Sequence, residues 1–510
     1  MKTINHYVGG REWAGSSTAT QDVMNPSTGT VQAQVRLAST ADVQEAIANA
    51  RTAQPEWAAL NPQKRMRVLM EWIRLINEHM DELATALSLE HGKTFADAQG
   101  DVQRGLEVVE VSLGAPHFLK GEFSDSVGTG VDTYSMRQPL GVVAGITPFN
   151  FPAMIPLWKA GPALAAGNAF ILKPSERDPS VPLKLAELFT AAGGPDGVFN
   201  VVHGDKEAVD ALLDSEVIQA VGFVGSTPIA QYIYTRCAET GKRAQCFGGA
   251  KNHMLILPDA NLDEVADALV GAAYGSAGER CMAISVAVPV GEETATALRE
   301  KLVERIEGLK VGHCLDPDAD YGPLVATSAV ERVRSYIDAG EKAGAELVVD
   351  GRERGATDSS FQGEDLSGGY YLAPTLFDHV TPEMSIYTDE IFGPVLTIVH
   401  ADSIDEALRL PTEHAYGNGV SIFTRNGGAA RDIAQRIQVG MVGINVPIPV
   451  PIAYHTFGGW KASGFGDLNQ HGPDAFRFYT KTKTVTSRWT RDDAVITPHS
   501  GSHFVMPVVD

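Results

Sequence analysis

The feature that most constrains this chain is an alternation. Short apolar runs, Gly141 to Ile146, Ala169 to Leu172, Val198 to Val202, Gln219 to Val224 and His253 to Leu257, each stop at a glycine, a proline or a polar turn. Helical patterns such as Pro182 to Ala192 and Ala208 to Leu213 lie between them. That order is the one expected of βαβ units around a parallel sheet. Upstream, Asn61 and Pro62 supply a cap and a first-turn residue. Met66, Leu69, Ile73, Ile76, Met80, Leu83 and Leu87 then keep helical spacing up to Gly92, which predicts one long amphipathic helix. From about Ala260 the alternation restarts: Leu262, Val265, Ala266, Leu269 and Ala273 form a helical face ending near Gly275. A loop holding Cys281 follows and leads into the apolar run Ile284 to Val290. This predicts a second α/β lobe. Gly130 to Arg137 and Phe476 to Val485, rich in threonine and tyrosine, read as extended strands of an appendage. The tail after Trp489 is polar.

With 510 residues, 44% of them hydrophobic, the chain can bury a large core in more than one domain. Its net charge of −22 argues against nucleic-acid and anionic-membrane partners. The most apolar stretch, Ala153 to Leu172, is interrupted by Pro156, Lys159 and Pro162, so it is expected in a core and not in a bilayer. Cys237, Cys246, Cys281 and Cys314 form no C-x-x-C pair, which disfavours a disulfide framework and a thiolate metal site. With no apolar stretch after the N-terminal lysine, a reducing, cytoplasmic setting fits.

The chain contains no G-x-G-x-x-G, Walker P-loop, G-x-S-x-G elbow, H-E-x-x-H or EF-hand loop. What remains is Cys281 in GERCMAIS. A loop position leaves its sulfur accessible, and the adjacent Arg280 is expected to favour thiolate. Taken alone, such a cysteine is more often an inert, half-buried hydrophobe.

Five segments change that balance: ITPFNFPAMIPLWKAGPALAAGN (146–168), KPSE (173–176), FVGST (223–227), GERC (278–281) and EIFGP (390–394). In this order and separation they resemble the aldehyde dehydrogenase superfamily over essentially the whole chain. PFNFPAMIPLW, GAKNH, RCMA and NVPIPVP are most similar to its CoA-acylating branch, which acts on methylmalonate semialdehyde. The resemblance implies a nucleophilic Cys281, with Asn150 and the Cys281 N–H stabilising an oxyanion, a donor typically worth about 3 kcal/mol. It implies NAD contacts at Thr147, Phe149, Lys173, Glu176, Arg177, Ser226, Gly248, Glu390 and Phe392. Glu176 would accept from a ribose 2′-OH and repel a 2′-phosphate. Ser226 opens a helix able to meet the pyrophosphate. Ala230 stands where the superfamily has a second glycine.

Hydrolytic members carry a glutamate before Leu-Gly-Gly that activates water; here the aligned run is Cys246-Phe247-Gly248-Gly249. Losing such a base, worth on the order of 10²–10⁴ in rate, leaves the acyl-enzyme to a stronger nucleophile such as coenzyme A. Glu279 or another acid would be the base of a non-acylating rival that acts on another carboxylated aldehyde. Were Cys246 beside Cys281, oxidation would couple them. In related enzymes positions matching Arg104 and Arg280 hold the semialdehyde carboxylate, and an arginine fork suits that role. The implied reaction converts methylmalonate or malonate semialdehyde to propionyl-CoA or acetyl-CoA, NADH and CO2. It requires no metal. The implied architecture is α/β: a doubly wound NAD-binding domain (1–125 and 146–260), an α/β catalytic domain (261–455), oligomerisation strands (126–145 and 474–490) that pair subunits into dimers and homotetramers, and a tail (491–510).

Overall fold

A computed structural model describes residues 2–128 and 130–488; the 491–510 tail lies outside the described residues. Two large sheets organise the chain. The first has eight strands in the order Gly464–Phe465, Arg243–Phe247, Ile218–Val224, Val142–Ile146, Ala169–Lys173, Phe199–Val201, His6–Val8 and Arg11–Trp13. The five from Arg243–Phe247 to Phe199–Val201 run parallel. The chain enters this parallel set at Val142–Ile146, winds outward on one side, then returns to fill the other. The sheet is therefore doubly wound, with its topological switch between Val142–Ile146 and Ile218–Val224. Ligands of open α/β sheets bind beyond the carboxyl ends of the strands at such a switch.

The second sheet has seven strands, ordered Glu346–Val349, Thr375–Asp378, Val395–Ile398, Ile284–Pro289, Asn252–Ile256, Gly419–Phe423 and Met441–Ile444, and only Glu346–Val349 is antiparallel to its neighbour. Asn252–Ile256 thus belongs to this sheet, although it precedes the expected boundary at 260. The crossing occurs at Gly248–Lys251, where Gly249 N–H donates to Thr227 Oγ1 (2.8 Å) and Ala250 N–H to Glu390 (2.9 Å), turning the chain from one sheet to the other.

Three further expectations need correction. The predicted long helix is two, Pro62–Glu78 and Met80–His91. The break falls at His79 (φ −98°, ψ 14°), whose ring pairs with Glu82. The bend lets the first helix pack on Ser180–Ala191 while the second meets Phe95–Ser112. The Asn61 cap, Pro62 in the first turn and left-handed Gly92 at the end are as the sequence predicts. Phe476 and Phe478 are not in a strand. They close the helix Gly472–Phe478, because both rings are buried, Phe476 stacking on Phe118 at 4.6 Å, and the strand begins only at Thr480. Val142–Ile146, four of whose residues fall within the expected strand appendage 126–145, is instead a fully buried member of the first sheet. The appendage itself is the antiparallel sheet Phe123–Gly128, Val131–Pro139 and Thr480–Arg488.

The apolar stretch after Ala153 becomes the buried helix Met154–Ala165 and the strand Ala169–Lys173. Trp57 and Trp72 close over it, each satisfying its indole N–H on a backbone carbonyl at 2.9 Å while meeting Phe189 edge-on. Burying such rings contributes about 2–3 kcal/mol each. Among the described residues no helix is long and apolar enough to cross a membrane.

Candidate active site

The loop that carries Cys281 is strained into place. Ser276, Ala277 and Gly278 have φ of 50°, 53° and 74°, a left-handed run that costs about 1–3 kcal/mol for each non-glycine residue. Gly278 is required there: a Cβ would lie 2.2 Å from the Gly393 carbonyl oxygen. Downstream, Asn252 and Asn418, at the amino edge of the second sheet, each donate a side-chain N–H to the Cys281 carbonyl (3.0 and 3.2 Å). The peptide is thereby fixed, and the Cys281 N–H is bonded to no backbone carbonyl among the described residues. Neither asparagine was expected from the sequence, where a lone Asn reads as a turn or strand residue.

Cys281 lines a cavity of about 200 Å³ shared with Lys93, Asp97, Asp101, Arg104, Phe151 and Arg280. Burial, followed by the Glu390 carboxylate, pushes its thiol up to about 12. The expectation that Arg280 favours thiolate is therefore not met. The Arg280 guanidinium donates to both oxygens of Asp97 (2.6 and 2.7 Å), which neutralises it locally. Burial alone would raise the Asp97 carboxyl, but Arg280 and Lys93 outweigh it and hold it below the usual range. Arg104 reaches the same cavity, bonded to Glu107 (2.6 Å) and to the Pro451 carbonyl (3.3 Å).

Asn150 is 3% exposed, and its amide makes no hydrogen bond to protein among the described residues. It precedes Phe151, which packs with Cys281 against one apolar cluster. Cys246 is elsewhere: fully buried, it belongs to the core of Phe223, Ile233 and Cys237. The expected proximity of Cys246 to Cys281 does not hold, because in Arg243–Phe247 it is Phe247 that turns toward Phe457 and the Cys281 cluster. All four thiols are free. Glu279, also fully buried, accepts from Val325 N–H (3.1 Å), is pushed up to about 8 by burial, and lines neither cavity next to Cys281.

The expected cofactor residues gather at the carboxyl ends of the first sheet. Thr147 follows Val142–Ile146 and its buried hydroxyl has no partner among the described residues. Lys173 ends its strand paired to Glu176 at 3.2 Å. Phe149 stands edge-on to Phe392 at 5.9 Å, with Arg177 over its face at 5.7 Å. Phe392 sits at φ 58°, held by Arg332, which donates to its carbonyl at 3.3 Å. Ser226 caps Thr227–Glu239 without a side-chain cap bond, so its exposed hydroxyl has no partner there. The Ala230 methyl faces the core, away from that end. Glu390 lines a second, narrow cavity with Cys281, and burial pushes it up to about 7. Lys251, missed in the sequence, donates to the carbonyls of Ile386 and Asp389 and steadies that segment. Gly248 does not face the crevice openly: a Cβ there would meet Thr227 Oγ1 at 2.6 Å. An orphaned Thr147 hydroxyl, an uncommitted helix terminus at Ser226 and a Lys173–Glu176 pair suit a dinucleotide with ribose hydroxyls and a pyrophosphate.

The sequence profile of the aldehyde dehydrogenase family matches residues 13–485. A malonate-semialdehyde dehydrogenase of Pseudomonas aeruginosa is 53% identical over 507 residues, covering 99% of this chain and all of that one. Among solved structures, a Sinorhizobium meliloti 1021 protein described provisionally as a methylmalonate-semialdehyde dehydrogenase, complexed with NAD, superposes with a TM-score of 0.94. It is 59% identical, covering 96% of this chain and 99% of its own. A methylmalonate-semialdehyde dehydrogenase from Oceanimonas doudoroffii gives a TM-score of 0.93 at 52% identity, with coverage of 96% and 99%.

Proposed function

Because the chain belongs to the aldehyde dehydrogenase family, we propose that it oxidises malonate or methylmalonate semialdehyde with NAD and transfers the acyl group to coenzyme A with release of CO2. One observation carries the acylating part. Both carboxylates on the larger Cys281 cavity are already committed, Asp97 to Arg280 and Ser276, Asp101 to Lys93 and the Met154 N–H, so neither is free to activate water. Glu279, one base a hydrolytic rival would use, lines neither Cys281 cavity, and Glu390 on the narrow one already accepts from the Ala250 N–H.

Cys281 gives up its thiol proton to solvent through the cavity it lines, and the resulting thiolate attacks the aldehyde carbon, forming a C–S bond while the carbonyl electrons move to oxygen. The Asn150 amide and the Cys281 N–H stabilise that oxyanion. Bound NAD supplies the acceptor for the two electrons and the hydrogen that leave the carbon as the thioester forms. Arg104 and Arg280 orient the substrate carboxylate, although Arg280 must share itself with Asp97. The thioester carbonyl then accepts the electron pair released as the C–CO2 bond breaks, and protonation of that carbon leaves the shortened acyl group. The coenzyme A thiolate displaces Cys281. Glu390 and Lys173–Glu176 support NAD binding, the four free thiols support a reducing compartment, and the exposed strand Phe123–Gly128, with Phe123 and Val127 outward, supports assembly into dimers and tetramers.

Product analysis by mass tests the reading. Malonate semialdehyde with NAD and coenzyme A should yield acetyl-CoA and CO2, whereas free malonate as the product would favour the hydrolytic rival.

A further inference from the structure

Lys93 and Asp101 form a buried ion pair that neither the cofactor crevice nor the reacting carbon uses. Lys93 lies in the three-residue link between Met80–His91 and Phe95–Ser112, and Asp101 sits within the latter helix. Their side chains are 1% and 0% exposed, with Nζ to Oδ2 at 3.0 Å. Taking both charges out of water costs several kcal/mol per ion, which their mutual attraction offsets only when their remaining bonding capacity is also filled. Here it is filled by one short segment of the chain. Lys93 Nζ donates to the Asn150 carbonyl at 2.6 Å and lies 4.3 Å from the centre of the Phe151 ring. Asp101 Oδ1 accepts from the Met154 N–H at 2.7 Å.

The second contact replaces a missing cap. The helix Met154–Ala165 begins after Ala153, which has no side-chain oxygen to offer, so its first N–H would be orphaned in the interior without Asp101. The ion pair therefore grips the segment 150–154 at both ends, its cation on the carbonyl of Asn150 and its anion on the helix start four residues later. Between these points the buried Asn150 side-chain amide makes no hydrogen bond to protein that would orient it among the described residues. Its direction is set by its own backbone, and its backbone is set by Lys93 and Asp101.

We propose that Lys93 and Asp101 are positioning residues that fix the Asn150 amide for oxyanion stabilisation. This rests on the reading of Asn150 as an oxyanion donor. A displacement of about 1 Å at a reacting group costs on the order of 10²-fold, the same scale as losing one oxyanion donor. Lys93→Met keeps the stem and removes the donor, and Asp101→Asn keeps an acceptor for Met154 while removing the charge.

The test is a double-variant cycle on the full-length enzyme, measuring NADH formation, NAD affinity and the rate of Cys281 alkylation by iodoacetamide. Lys93→Met should lower kcat about 10²-fold with KM for NAD within about twofold of the parent, while alkylation slows only through loss of the Lys93 charge that faces the Cys281 thiol across their cavity. Asn150→Ala should lower kcat to the same extent, and Lys93→Met combined with Asn150→Ala should be no slower than Asn150→Ala alone. Asp101→Asn, the milder change, should lower kcat about tenfold and supplies the same cycle if Lys93→Met does not fold. Multiplying losses in the double variant, a loss of NAD affinity, or slowed alkylation in Asp101→Asn, which keeps the Lys93 charge, would mean general structural damage and would overturn the proposal. A normal kcat in Lys93→Met with a slow Asn150→Ala would overturn the clamp alone. A normal kcat in Asn150→Ala would overturn the oxyanion reading and the clamp with it.

Discussion

Gly278 offers a sharp perturbation of the nucleophile loop. A methyl group placed there would sit 2.2 Å from the Gly393 oxygen and 2.5 Å from its carbon, both backbone atoms that cannot rotate away. Real contacts of this kind stop near 3.0 Å, so the Cys281 loop and the 390–394 segment must separate by about 1 Å. The residue is also at φ 74°, where a side chain adds about 1 kcal/mol of strain. Cys281 lies three residues downstream and Glu390 three residues before Gly393, so the displacement falls directly between the Cys281 and Glu390 sides of their narrow cavity. Gly278→Ala should therefore lose about 10²-fold in kcat for NADH formation and about 1–3 kcal/mol in stability. Gly271, in the helix Leu262–Tyr274 just upstream, has nothing within 4 Å of its missing Cβ. Gly271→Ala should be neutral in activity and raise stability by about 0.5–1 kcal/mol. Steady-state NADH assays and thermal unfolding of both variants decide the matter, and a Gly278→Ala enzyme with parental kcat would refute the steric argument.

Arg104→Ala, whose partner Glu107 stays hydrated, should raise KM for malonate semialdehyde about tenfold and leave that for propanal unchanged; equal effects on both aldehydes would remove the carboxylate role. Burial raises Glu390 to about 7, so its carboxylate, the form that accepts from ribose hydroxyls, fills as pH rises through 7. NAD should accordingly bind several-fold tighter at pH 8 than at pH 6 by fluorescence titration, and Glu390→Gln should flatten that slope. Peptide mapping after mild peroxide treatment should find no Cys246–Cys281 disulfide, because the two thiols sit in separate apolar clusters.

The periodicities that locate strands and helices were legible because burial on one face leaves a repeating mark. Four of the five parallel strands of the first sheet were visible as apolar runs; Arg243–Phe247 was not, because Arg243 and Gln245 interrupt its apolar residues. The sheet to which Asn252–Ile256 belongs was not, since an apolar run says nothing about its neighbours. The helix break at His79 was hidden because the apolar spacing continues across it. Resemblance named Cys281 and Asn150, but their supports escaped it: Lys93, Asn252 and Asn418 act through backbone carbonyls, which have no sequence signature. Asp97, Asp101 and Arg104 did leave one, three charged residues at i, i+4 and i+7 on a helix whose other contacts are buried. The opposite error, an activating Arg280, arose because its partner Asp97 is remote in sequence.

The central claim is that acyl transfer from Cys281 waits for coenzyme A. Rapid mixing of enzyme with NAD and malonate semialdehyde tests it directly. Without coenzyme A, the account predicts a burst of about one NADH per active site followed by a near-stall, relieved at once when coenzyme A is added. Sustained linear NADH formation in its absence, at the rate seen in its presence, would contradict it.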